Sequence, residues 1–135
     1  MEKKRIIDSH VHIGRSLNFD MKETDVLEAM KKYNIEKVLF SNSESAEADH
    51  EQKLLPQELQ ISQVKSLEKS IKFAKENSGK VYVAPWFKPK TEKISDELIN
   101  LIQNNLDVIK AVKIIVIAND FHDMFSNILM RYVGT

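Results

Sequence analysis

Asp8, His10 and His12 are the residues whose types and spacing can do chemistry in this chain. They follow the short apolar run Arg5-Ile6-Ile7 and precede Gly14. Read as a strand, the segment sends alternate side chains to opposite faces, so Ile6, Asp8, His10 and His12 share one face and Arg5, Ile7, Ser9 and Val11 the other. Residues two apart on a strand stand roughly 6.5–7 Å apart at Cα. Imidazole arms from both positions can then meet on one ion, with metal–nitrogen bonds of about 2.0–2.1 Å. A carboxylate at Asp8 on the same face would orient a ligand or support the metal. The chemistry expected is attack by metal-activated water on a polar substrate. A His-x-His pair also arises by chance on a surface. The leading Ile-Ile run, the Asp two residues earlier and the Gly that follows favour the metal reading.

Composition narrows the classes. The chain has 135 residues, 42% hydrophobic and 30% charged, which suits one globular domain over residues 1–135. Twenty basic residues balance twenty acidic ones, so no charge excess points to nucleic acid. With no cysteine, thiolate sites and disulfides are excluded and any metal must be held by His, Asp, Glu or a modified Lys. No run approaches the roughly 20 apolar residues of a membrane span. The N-terminal apolar run is too short for a signal peptide, so a cytoplasmic location is expected.

The elements that must position the histidines alternate between strand and helix. Residues 4–8 read as the first strand. A helix is expected over residues 24–33, with Val26, Leu27, Met30 and Tyr33 on one stripe, Thr24 or Asp25 opening it and Asn34 closing it. A second strand over residues 36–40 leads into a polar stretch from Ser41 to about Gln57, of a length often used for lids or binding loops. Ile61, Val64, Leu67, Ile71 and Ala74 predict a helix over residues 61–77, stopped by Gly79. A third strand is expected over residues 80–85, a helix over 94–106 and a fourth, nearly continuous apolar strand over 111–117. Phe121, Met124, Phe125, Ile128, Leu129 and Tyr132 then fall at helical steps. The pattern predicts an α/β fold of parallel strands with helical crossovers. Ligands in such folds bind at the carboxyl ends of strands. His10 and His12 are expected there, with Ser41, Asn42 and Trp86 as candidate pocket wall.

The segment Asp-Ser-His-Val-His-Ile-Gly after an N-terminal strand resembles the opening of the amidohydrolase superfamily, in the branch of metal-dependent TIM-barrel hydrolases and related decarboxylases. Residues 25–40, the strand reaching Ala84-Pro85-Trp86 and Ile109-Lys-Ala-Val-Lys113 are also similar to that branch, so the resemblance covers residues 4–114. It implies a partial (β/α)₈ barrel of about four units, since a whole barrel needs about 250 residues. It also implies His10 and His12 as the first two metal ligands, usually for zinc, with Asp8 in support. The family's further ligands, on its fifth, sixth and eighth strands, have no counterpart here. A His-Pro pair often follows the lysine matching Lys113; here Ile114-Ile115-Val116-Ile117 and the amphipathic tail follow. Residues 115–135 therefore read as an atypical end, as a truncation or a shifted reading frame would produce.

The activity so implied is zinc-activated water attacking a C–N or C–O bond of a small molecule, or a related decarboxylation, from a chain that is incomplete and inactive by itself. A metal-dependent phosphoesterase or TatD-like nuclease is one alternative, and Gly14 leans away from it. A non-catalytic α/β binding or assembly module is another. Exposed sheet edges or the helix over residues 120–133 would then serve for homo-oligomer contacts. Lys113 as a carboxylated bridging ligand suits two-metal members of the superfamily better than the branch resembled. His50 and His122 read as solvated.

Overall fold

The computed structural model describes residues 4–16, 19–49 and 51–115. The amphipathic stretch over residues 120–133, His50 and His122 lie outside them. The chain forms β1 (Ile6–Ser16), β2 (Phe19–Met21), α1 (Glu23–Tyr33), β3 (Ile35–Asn42), α2 (Gln63–Glu76), β4 (Val81–Val83) and α3 (Asp96–Gln103). It is an α/β fold with a four-stranded, mostly parallel sheet in the order β2-β1-β3-β4. β1 is parallel to β3 and β3 to β4, while β2 folds back antiparallel on the end of β1, pairing Gly14 with Met21.

The helices begin and end where their termini can be satisfied. Ser62 Oγ accepts from the Lys65 amide and Ser95 Oγ from the Leu98 amide, each capping an otherwise unbonded N–H. α1 opens two or three residues earlier than Thr24 or Asp25 would have it: Lys22 is its N-cap, and the Asp25 carboxylate reaches back to the Lys22 amide at 2.9 Å. Asn34 closes α1 in the left-handed conformation at φ 56°.

One face of the sheet carries the core. Val38 and Phe40 of β3 lie in register with Val81 and Val83 of β4, and with Ile13 they meet Val26 and Met30 of α1, Leu67 and Ile71 of α2, and Leu98 and Ile102 of α3 in one buried cluster. Phe40 and Phe73 stack edge to face at 5.6 Å. All three helices bury their apolar stripes on this side. The opposite face presents Ile7, Leu39 and Tyr82, and Ile7 is 60% exposed.

Two strands differ from expectation. β1 continues well past residue 8 because its second half gains partners on both sides, β3 and the short β2. Among the described residues, no fourth strand forms at the expected run: the chain there meets the sheet through isolated parallel bridges, Trp86 with Lys113 and, just before the run, Val83 with Ile109. The Val83 amide donates to Val108 O and the Phe87 amide to Lys113 O. Pro85, midway between these donors, has no N–H to give, which interrupts the ladder.

Gly14 marks where β1 passes from pairing with β3 to pairing with β2. Its φ is +107°, and a Cβ there would stand 2.4 Å from Asn42 Oδ1 and 3.0 Å from Glu44 Cγ. Only glycine allows β1 and the end of β3 to approach so closely.

Candidate metal centre

The imidazoles meet through an irregularity in β1. Asp8 pairs with Val38 and Val11 with Phe40, so β1 spends one residue more than β3 over this step. The extra residue is a bulge. It overturns the simple alternation: Asp8 lies on the side of Val38, whereas His12, paired with Ser41, lies on the other. Asp8 therefore does not share a face with His12. Its Oδ1 accepts from the His10 amide at 3.0 Å and closes the bulge as a local side-chain turn. Asp8 acts on the pair through the backbone that carries His10.

From the bulge, the His10 ring reaches that of His12, with centroids 5.0 Å apart and planes tilted by 41°. The two Nε2 atoms are 3.0 Å apart. Trp86 stands edge-on to His12 at 5.4 Å and Phe19 at 6.1 Å. The Trp86–Lys113 bridge brings in a further group: Lys113 Nζ lies 3.3 Å from His10 Nε2 and 5.7 Å from the centre of the Trp86 ring. One imidazole nitrogen, with a single lone pair or a single proton, thus faces two other nitrogens. Burial, the Lys113 charge and the His10 ring, in that order, push the His12 pKa below the ordinary histidine value, which favours the neutral, ligating form.

The other candidate positions have different roles. Trp86 is in ring contact with His12. Ser41 is the cross-strand partner of His12, but it is buried and its hydroxyl donates to Ala84 O at 2.9 Å. Asn42 pairs with Ile13 on the helix side, and its Oδ1 accepts from the Glu44 amide. It borders a groove of about 600 Å³ beside α2 that includes neither histidine.

The polar stretch after β3 is not a lid over the imidazoles. Ser43, Ser45 and Glu47 are buried. The Glu47 carboxylate accepts from the Lys90 amide at 3.1 Å and from the Thr91 amide and hydroxyl, each at 2.9 Å, so it clamps the loop after β4. Nearby, buried Lys88 donates through Nζ to Ile61 O at 2.8 Å, and its backbone amide donates to Gln63 Oε1. Desolvation lowers the Lys88 pKa, and Glu92 and Glu47 oppose it. Sequence patterning gave no sign of this clamp, because nothing in a polar run identifies which member will be buried.

Two imidazoles fit a divalent cation as two of its ligands. Nitrogens sharing a tetrahedral ion stand about 3.3 Å apart for metal–nitrogen bonds of about 2.0–2.1 Å. The observed 3.0 Å needs only a slight opening. Among the described residues, no group of three or more His, Asp or Glu side chains gathers as a metal cage. Nor, among them, is any helix long and apolar enough to cross a membrane. No protein-family model, curated protein or solved structure matches the chain.

Proposed function

We propose that this chain carries the two-histidine part of a zinc site of the amidohydrolase type, in a cytoplasmic protein acting on a small molecule. The reading is supported by one observation above all. His10 and His12 bring their Nε2 atoms within 3.0 Å of each other, and the environment of His12 favours its neutral form. A zinc ion bound there would polarise a scissile carbonyl and lower the pKa of a bound water.

The chain's own residues have defined tasks in this reading. His10 and His12 supply two nitrogens. Asp8 holds the bulge that presents His10. Trp86 and Phe19 flank His12 and shield it from bulk water. A catalytic zinc takes three protein ligands and keeps one position open. The described residues offer two imidazoles, so binding without turnover is the behaviour expected of the 135-residue chain. Metal content after zinc addition and dialysis against acetate buffer tests the proposal. Near-stoichiometric zinc in the wild type, and a loss of affinity of at least roughly tenfold on His10→Ala or His12→Ala, would support it. Zinc uptake that is absent, or indifferent to both substitutions, would leave an α/β binding or assembly module as the better reading.

A further inference from the structure

We propose that Lys113 makes the histidine pair a coupled site, which takes up a divalent cation together with a small carboxylate and holds the cation poorly alone. The inference rests on the metal reading above. Neutral imidazoles bring no negative charge to a dication. The nearest charged side chain to His10 Nε2 in hydrogen-bond contact is the Lys113 ammonium, at 3.3 Å.

Lys113 is well anchored. Its amide donates to Pro85 O at 2.7 Å, its carbonyl accepts from the Phe87 amide at 3.0 Å, and its Nζ sits over Trp86. None of the ion pairs among the described residues involves Lys113. Asp8, the acid nearest in sequence to the pair, points one carboxylate oxygen at the His10 amide. A cation on His10 and the ammonium 3.3 Å from its Nε2 therefore repel each other at short range, and because His10 is exposed the repulsion weakens as salt is added. A carboxylate resolves the conflict because it can ligate the cation through one oxygen and accept from the ammonium through the other. Neither cation nor anion is then favoured without its partner. By linkage, each raises the affinity of the other by the same factor.

The test is the zinc affinity of the full chain, measured by competition with a chelating dye calibrated in each anion. Acetate replaces chloride at fixed ionic strength and neutral pH. Acetate is expected to tighten zinc binding roughly tenfold, inside the 5–150-fold span typical of coupled sites. In Lys113→Met, zinc binding without acetate should strengthen and the acetate effect should disappear. Lys113→Arg should keep the acetate effect, since it keeps the charge. Circular dichroism verifies that each variant is folded. The proposal is overturned if wild-type zinc affinity is indifferent to acetate, or if Lys113→Met retains the coupling. It is also overturned if Lys113→Met loses zinc, because the lysine would then be a ligand. A wild type that binds zinc without coupling sinks this inference alone; a wild type that binds no zinc in either anion sinks the metal reading with it.

Discussion

His12 is expected to contribute to the acid response of the metal-free protein. Burial, Lys113 and His10 all hold its pKa below that of a free histidine. Unfolded, the same imidazole takes up a proton near pH 6.5 or so. Between the folded and unfolded pKa values the unfolded chain binds more protons, so stability rises with pH across that window. The urea midpoint is accordingly expected to fall as pH drops through about 6.5, and His12→Gln should flatten this slope. An unchanged slope in the variant would assign the acid sensitivity to other groups. The pairing of His10 and His12 was legible in residue types and spacing, though the geometry arises differently. Plain alternation would have placed Asp8 beneath the rings. A one-residue bulge instead turns Asp8 away and makes it the brace of the turn. The approach of Lys113 had no local signal, because contact between residues 10 and 113 depends on the register of strands far apart in sequence.

At the scale of elements, two joints are expected to be costly to disturb. Gly14→Ala places a methyl group on Asn42 Oδ1 at a backbone φ of +107°, and a loss of about 2 kcal/mol or more is expected in urea unfolding. Glu47→Ala removes a buried acceptor from two amides and a hydroxyl, with an expected loss of about 3 kcal/mol by the same measurement. A cost near zero would mean that water replaces the carboxylate and that the clamp does not hold the loop. The three helices and the second and third parallel strands were readable from apolar periodicity, because each buries a single stripe or face in one core. β2 was not, since three residues carry no period. The fourth apolar run was readable as apolar but not as interrupted, because the break comes from Pro85, just past the end of β4, rather than from the run itself.

For the molecule as a whole, the sheet has one covered face. The other bears Ile7, Leu39 and Tyr82, with no described helix packed upon it. Such a surface favours self-association. Ile7→Lys is expected to reduce association in sedimentation velocity while changing stability by no more than about 0.5 kcal/mol. Equal association in both proteins would direct attention to the sheet edges. Ester hydrolysis by the zinc-loaded chain should stay at the level of the His10→Ala/His12→Ala double variant, since two protein ligands fall short of a catalytic set. Trp86 gives all of these experiments a built-in readout. It is the chain's single tryptophan, and its indole touches His12 and lies under Lys113. Its emission comes from one address, so a proton, a metal ion or an anion arriving at the imidazoles should alter the fluorescence of the native protein with no dye attached.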